Sequence, residues 1–552
     1  MKYSNKKLAQ SIAQLLVYKS IHNVVLSPGS RNAPLTTTFQ SHPDINLYSI
    51  VDERCAAFVA LGMIQKTHNP VAICCTSGSA LLNYYPAVSE AFYRNLPLII
   101  LSADRPKDKV DQSVGQTIRQ ENVFENHIGL SVNLTEDESV KGMQYNERLI
   151  NEALNFAIQK QLPVHINIPF SEPLYGLEET MCASPKVIQP IHFDKVLAVN
   201  ELEAFAKLWN ASEKKLVLVG MFPKDELLQT QINHLLEDPS CIVLSETTSN
   251  IHHEKLIDTI DQTIFSLNEE ELETLRPEIL LTIGQNIISK KVKDFIAKHP
   301  PKVHLNIEPN GNIIDTFDTL THSFETSPTL FFSQFFYLTQ NKTSDYQEKW
   351  LNLKNKKRIR HVEYLAQCPF SDLKAMEFIL HNLPQNTDLH LGNSSVVRYA
   401  QLFEPNSSVE YFSNRGTSGI DGSTSTAIGS AMMSDRPSVL ITGDISFFYD
   451  SNALWNKYIP ENFIIIILNN GGGEIFKFIP GPDKTDALND YFVTQHQLSA
   501  VHLAQMYQFE YISIESLEDL TKINLQNPKN KTIIEIKTQN SENTLILKQY
   551  FT

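Results

Sequence analysis

The stretch from Gly443 to Phe476, GDISFFYDSNALWNKYIPENFIIIILNNGGGEIF, constrains this chain more than any other. An apolar strand, SVLIT, stops at Gly443-Asp444, and a second, Phe463 to Leu468, stops at Asn469-Asn470 and a run of glycines. The spacing is that of one strand–helix–strand crossover, the connection that parallel strands require. Both strands then deliver polar groups to the same sheet edge, where open α/β sheets bind ligands. The Asp444 carboxylate, the Asn470 carboxamide and a loop carbonyl are hard oxygen donors of the kind Mg²⁺ takes while it also holds phosphates. The glycines let backbone approach such a ligand closely. A plain crossover with a surface Asp and a Gly-rich turn is the competing reading. Gly443-Asp444 alone favours it. The addition of Asp450-x-Asn452, a buried strand and Asn-Asn-Gly-Gly-Gly in one unit reverses that preference.

Strand–helix alternation recurs along the whole chain, which predicts an α/β protein of doubly wound parallel sheets. At 552 residues there is room for about three domains, with expected limits at 1–185, 190–345 and 355–552. The first places strands at Asn23–Leu26, Asn46–Val51, Val71–Cys75, Leu98–Leu101 and Pro163–Ile168. The middle places them at Lys215–Val219, Ile242–Leu244, Ile279–Ile283 and Val303–Ile307, and SPKVIQPIHF connects the two. The middle segment has neither a G-x-G-x-x-G fingerprint nor a P-loop, so a second nucleotide site has no support there. A formal net charge of −15 argues against a general nucleic-acid binder. The cysteines show no metal-ligand spacing and read as reduced, mostly buried thiols. The N-terminal MKYSNKKLAQSIAQLLVYKS reads as an amphipathic helix, not a signal peptide, and no run approaches a membrane span. A cytoplasmic enzyme is the expectation.

Motifs now sharpen this reading. The Gly443-Asp444…Asn469-Asn470 pair resembles the metal–diphosphate motif of thiamine diphosphate enzymes. SPGSRNAPL, DERCAAFVALG, TSGSALLN, ADRP, GQTIRQ and PVHINIPFSEPL, in that order, with GNS, SNRGTSGIDG, GD and NN further on, resemble one family of them. It is the 2-succinyl-5-enolpyruvyl-6-hydroxy-3-cyclohexene-1-carboxylate synthases, enzymes of menaquinone biosynthesis that decarboxylate 2-oxoglutarate and join the remaining unit to isochorismate. The resemblance implies three domains: pyrimidine-binding, middle and diphosphate-binding.

It also implies roles. Glu53, which position alone would read as a helix N-terminal residue, becomes the carboxylate that hydrogen-bonds the cofactor's aminopyrimidine. Asp444, Asn470 and the Gly472 carbonyl would hold Mg²⁺ or Mn²⁺. Asn393, Ser394 and Gly443 would line the diphosphate, and Ile420 would support the bent cofactor. Ser30, Arg31, Arg105, Gln116 and Lys290 are assigned to isochorismate, with Lys291 competing for the last place. Arg398 and Arg415 are assigned to the carboxylates derived from 2-oxoglutarate, and Ile475 and Phe476 to an apolar wall. The sequence departs from the family at Gly115 and Gly471, each where Asn is common. A homodimer at least, and a homotetramer by resemblance, is expected. An acetolactate synthase-like carboligase acting on pyruvate is the nearest rival; it would not need so many arginines at strand ends. A non-catalytic cofactor-binding paralogue is the other rival, and it would be expected to lack Glu53.

Overall fold

A computed structural model describes residues 2–191, 195–479, 481–526, 529–538 and 540–551. His192 and Phe193, at the end of the connecting segment SPKVIQPIHF, lie outside the described residues. Three parallel sheets follow one another along the chain. The first contains Asn23–Leu26, Asn46–Ser49, Val71–Cys75, Leu98–Asp104, Leu130–Asn133 and Val164–Pro169. Numbered in chain order, these strands lie side by side as 2-1-3-4-6-5. The last sheet contains Asp388–Leu391, Glu410–Phe412, Ser438–Gly443, Phe463–Asn469, Glu510–Ile514 and Thr532–Lys537, in the same order 2-1-3-4-6-5. The middle sheet has Lys215–Val219, Cys241–Ser245, Ile279–Ile283, Val303–Ile307 and His322–Phe324, in the order 2-1-3-4-5. The doubly wound α/β class expected from the sequence is therefore correct. Strand order reverses between strands 1 and 3 of each sheet, and that switch point is where such sheets take ligands.

The middle strands read as continuous apolar runs because both their faces are covered. Val217, Leu281 and Leu305 pack on one side with Phe331 and Phe332; Leu216, Leu280 and Leu244 pack on the other with Trp350. The helix Tyr346–Gln367 runs unbroken from this core to the last one: Trp350 is buried in the middle unit and Leu365 in the last. The interval 346–354 between the expected middle and last domains thus lies within a single helix.

First and last sheets share one core. Val25, Ile73 and Ile100 belong to the same apolar cluster as Leu440, Ile465 and Ile533. The join is a crossing of two helices, Glu53–Thr67 and Ser423–Ala431. Neither tolerates a side chain at the crossing. A Cβ on Gly62 would lie 1.9 Å from the Thr426 carbonyl oxygen, and one on Gly429 would lie 1.9 Å from that of Val59. Among the described residues no helix is long and apolar enough to cross a membrane. Cys55, Cys74, Cys75, Cys241 and Cys368 are buried free thiols, and Cys182 is an exposed one.

Gly62→Val should force the two helices apart. Overpacking of this kind costs about 1–3 kcal/mol, so thermal unfolding of the variant should begin several degrees below that of the parent protein.

Candidate active site

In the last sheet the switch point lies between Asp388–Leu391 and Ser438–Gly443, and the loops beyond these strands carry Gly392 to Ser394 and Asp444. Asp444 opens a short helix, Asp444–Tyr449, and is 2% exposed. Its Oδ2 accepts from the amides of Gly471 at 2.8 Å and Gly472 at 3.0 Å, so the carboxylate and the glycine loop are locked together. Gly472 has φ +155°, and a Cβ there would meet the Val493 carbonyl at 2.7 Å, so glycine is required. His496 braces the same loop from outside: its amide donates to the Gly471 carbonyl, and its Nε2 lies 3.3 Å from Asp444 Oδ2. The sequence reading missed this histidine, which lies far from the motif in a segment without pattern.

The two asparagines divide their work. Asn469 turns inward, donating to Glu535 Oε1 at 2.7 Å and to the Leu498 carbonyl. Asn470 turns toward the edge: its Nδ2 donates to Asp372 Oδ2 at 2.8 Å, while its Oδ1 is buried with no hydrogen-bond partner. A buried acceptor without a donor costs about 1–3 kcal/mol, which a cation at this position would offset. Among the described residues no group of three His, Cys, Asp or Glu forms a metal cluster. A carboxylate, an amide oxygen and a carbonyl are instead a donor set suited to Mg²⁺. The residues present therefore fit a divalent cation. Asp450, read as part of the motif, does something else. It is fully buried, and its carboxylate takes the Ser425 amide, the Ser425 hydroxyl and the Cys55 thiol, so it pins the helix crossing.

Beside this loop, Ser394 is held at φ +72°, a conformation rare for a residue with a side chain and frequent where backbone must face a ligand. Asn393 is spent within the protein: its Nδ2 donates to the carbonyls of Asn414 and Gly419, and its Oδ1 accepts from Arg415 Nη1 at 2.8 Å. It thereby fixes the Arg415 loop rather than offering its side chain to a ligand. Glu90 holds that loop from the first unit, accepting from the Gly416 amide, the Thr417 amide and the Thr417 hydroxyl at 2.7 to 2.9 Å. Ile420 is 37% exposed, an uncovered apolar side chain whose carbonyl is bonded by Ser446.

Arg398 and Arg415 stand close enough that, after burial itself, the Arg398 charge is the next cause lowering the Arg415 pKa. Lys293 joins them. It is half-buried, and burial, Arg415 and Arg398 together pull its pKa down against the opposing pull of Glu246. Of the lysines weighed from sequence, Lys290 is exposed and Lys291 lies 4.5 Å from the centre of the Phe265 ring. Lys293 was missed because a single-turn shift along one helix, Lys290–Lys298, cannot be read from spacing. A cavity of about 80 Å³ separates Arg398 from Ile475, and Phe476 packs on Phe492 with ring centres 5.6 Å apart. A larger cavity, about 590 Å³ between the three units, has none of the sequence-predicted site residues in its lining.

The C-terminal edge of the first sheet carries the other predicted residues, Ser30 and Arg31 at its switch point and Glu53 and Arg105 after neighbouring strands. Ser30 is exposed. Arg31 donates to the Phe170 carbonyl at 2.8 Å and pairs with Glu172 at 3.3 Å, while its Nε has no partner. Arg105 donates to the Gly115 carbonyl, and the Ser77 hydroxyl to the Gln116 carbonyl, leaving the Gln116 side chain exposed. Glu53 is the first residue of its helix, which is capped by Asp52. Its neighbours are tied to the last unit: Asp52 accepts from Asn452, Arg54 donates to the Tyr449 carbonyl, and Cys55 contacts Asp450. The Glu53 carboxylate has no ion pair among the described residues, and burial raises its pKa.

In the middle sheet, the amides of Ile288 and Ser289, just ahead of the helix Lys290–Lys298, donate to the Glu246 carboxylate at 2.7 to 2.8 Å. A helix N-terminus at a switch point is where a phosphate would sit; here an internal carboxylate fills it.

Fold and site together define a thiamine diphosphate-dependent enzyme. Residues 6–126 match the family described as "Thiamine pyrophosphate enzyme, N-terminal TPP binding domain", and residues 391–534 match its "C-terminal TPP binding domain". Among solved structures, benzoylformate decarboxylase from Polynucleobacter necessarius superposes with a TM-score of 0.75 at 17% identity, over 97% of this chain and 98% of that one. That likeness bears on the fold. Nearer relatives are curated 2-succinyl-5-enolpyruvyl-6-hydroxy-3-cyclohexene-1-carboxylate synthases. The protein of Flavobacterium johnsoniae is 47% identical over 100% of this chain and 99% of its own length, and that of Flavobacterium psychrophilum 48% identical over the same shares. The protein of Porphyromonas gingivalis is 36% identical over 100% of this chain and 97% of its own length. This chain belongs to the 2-succinyl-5-enolpyruvyl-6-hydroxy-3-cyclohexene-1-carboxylate synthase family.

Burial pushes the Glu246 pKa up to about 7. A carboxyl whose pKa is higher folded than unfolded contributes stability that is present at low pH and lost as pH rises through the folded value. The melting temperature should therefore fall between about pH 5 and about pH 8, and Glu246→Gln should flatten that slope.

Proposed function

We propose that this enzyme decarboxylates 2-oxoglutarate and adds the four-carbon remainder to isochorismate, releasing CO₂ and 2-succinyl-5-enolpyruvyl-6-hydroxy-3-cyclohexene-1-carboxylate. The observation that carries this reading is the group of Arg398, Arg415 and Lys293 beside the Asp444 loop, in a chain of net charge −15. Both substrates are dicarboxylates. Taking such charges out of water is costly unless they meet charge-assisted hydrogen bonds, which return roughly 1.5–3 kcal/mol each. A pyruvate-specific carboligase, the rival reading, has less need of three clustered cations. The first unit would take the cofactor's aminopyrimidine and the last its diphosphate, in a cytoplasmic enzyme.

Asp444 and Asn470 side chains and the Gly472 carbonyl would hold Mg²⁺ or Mn²⁺, and Gly443 with the backbone at Asn393 and Ser394 would receive the diphosphate. When bound, thiamine diphosphate supplies a nucleophilic carbon and an electron sink for loss of the carboxyl group. The protein does the rest. Glu53, with its pKa raised by burial, exchanges a proton with the aminopyrimidine, assistance typically worth ~10²–10⁴-fold. Ile420 supports the cofactor from below. Arg398 and Arg415 bind the carboxylates of the 2-oxoglutarate-derived unit, with Ile475 and Phe476 excluding water. Ser30, Arg31, Arg105, Gln116 and Lys290 receive isochorismate. Glu172, the partner of Arg31, is 72% exposed, so a substrate carboxylate can replace it at little cost.

Within one chain the Glu53 helix is tied to residues 449–452, not to the loop that presents Asp444 and Asn470. This supports a homodimer at least, and a homotetramer in the fuller reading, in which Glu53 of one copy serves the Asp444 loop of another.

Purified protein with thiamine diphosphate, Mg²⁺ and both substrates should consume isochorismate only when 2-oxoglutarate is present. Release of CO₂ from pyruvate in preference to 2-oxoglutarate would favour the rival carboligase. Glu53→Gln and Asp444→Ala should each be nearly inactive alone. Co-refolded or co-expressed, they should regain activity, since a hybrid dimer has one intact site. Sites built within a single chain would show no recovery.

A further inference from the structure

We propose that Asp372 is a positioning residue for the metal site: it turns the Asn470 carboxamide so that the oxygen, not the nitrogen, faces the cation. This inference rests on the metal role assigned to Asn470 above and adds a residue that sits 98 positions away in sequence.

A carboxamide carries a donor end and an acceptor end of nearly equal shape, and the surroundings decide which way it points. Only the oxygen binds a hard cation. At Asn470 the choice is forced from behind. Asp372 is 1% exposed and presents Oδ2 to the amide at 2.8 Å. An ionised carboxylate only accepts, so the amide nitrogen must face it, and Oδ1 is left buried and without a partner on the opposite side.

Asp372 is itself fixed on every polar atom. Its Oδ1 accepts from the Thr538 hydroxyl at 2.6 Å, and its amide donates to Asn543 Oδ1 at 2.8 Å. Asn543 Nδ2 in turn donates to Thr538 Oγ1 at 2.9 Å, which closes a ring. Thr538 follows the strand Thr532–Lys537, and its amide donates to the Asn469 carbonyl at 3.1 Å. The ring therefore joins three distant segments behind one ligand: the start of the helix Asp372–His381, the end of the last sheet and the C-terminal helix. Partners of this kind, one shell behind a ligand, typically govern metal affinity by 10–100-fold.

The test exchanges the two groups. Asp372→Asn can offer either a donor or an acceptor to Asn470, so the forced orientation is lost. Mg²⁺ affinity, read from the change in intrinsic fluorescence during Mg²⁺ titration in saturating thiamine diphosphate, should weaken about 10- to 100-fold. Asn470→Asp sets two carboxylates against each other and should also weaken it. The double variant Asp372→Asn/Asn470→Asp restores one donor facing one acceptor, with an oxygen toward the cation, and should bind Mg²⁺ more tightly than either single variant. A merely structural role predicts no such recovery. Thr538→Val, which loosens Asp372 without removing it, should fall between parent and Asp372→Asn, and it serves as the readout if Asp372→Asn does not fold. Wild-type affinity in Asp372→Asn, a double variant no better than the tighter-binding single, or parent-like affinity in Thr538→Val would overturn the proposal. Mg²⁺-independent cofactor binding by the parent protein would instead overturn the metal role of Asn470.

Discussion

The crossing of the helices Glu53–Thr67 and Ser423–Ala431 is the contact on which the rest of this molecule depends. Backbone meets backbone there because Gly62 and Gly429 carry no side chain, and the first and last sheets consequently share one apolar core. Polar contacts around the crossing extend its reach. Asp450 joins the two helices at Cys55 and Ser425, and Glu90 reaches across to the loop that bears Arg415. The loop that bears Arg415 on one unit is thus set in place by a carboxylate on the other. The geometry of the site is inherited from the packing of units, not from any loop alone.

The three sheets repeat one plan and use it differently. First and last share the strand order 2-1-3-4-6-5, and each carries its candidate residues along the C-terminal edge, at the switch point between strands 1 and 3 and after the strands beside it. The middle sheet has an equivalent switch point, yet Glu246 occupies the amides that would greet a phosphate. A carboxylate already placed there repels a second anion and satisfies the donors it would need. In the middle unit the same fold element is a closed structural joint, with the Glu246 carboxylate taking up the Ile288 and Ser289 amides.

Much of this was legible in the sequence. Long apolar strands such as Val71–Cys75, Lys215–Val219, Ile279–Ile283 and Val303–Ile307 fall where their runs predicted, because a strand buried on both faces advertises itself. Leu130–Asn133, His322–Phe324 and Glu510–Ile514 were not foreseen; each lies at a sheet edge, where the pattern is diluted by solvent-facing residues. Thr532–Lys537 was missed for another reason. It carries Glu535, fully buried, which only the gathering of Asn469, Ser499, Tyr511 and the Ala500 amide makes acceptable. Periodicity cannot announce partners that arrive from other segments.

The sequence by itself determined the order of elements, the chemistry of the Asp444–Asn470 clamp and the family, because those depend on residue types at fixed local spacing. Tertiary structure alone decided which asparagine faces outward, which lysine of the helix Lys290–Lys298 joins Arg398 and Arg415, and that Asp450 serves the helix crossing and not the clamp. Each of those outcomes turns on a polar partner supplied from elsewhere along the chain. Local spacing sets where a side chain begins; the long-range partner sets where its polar end points.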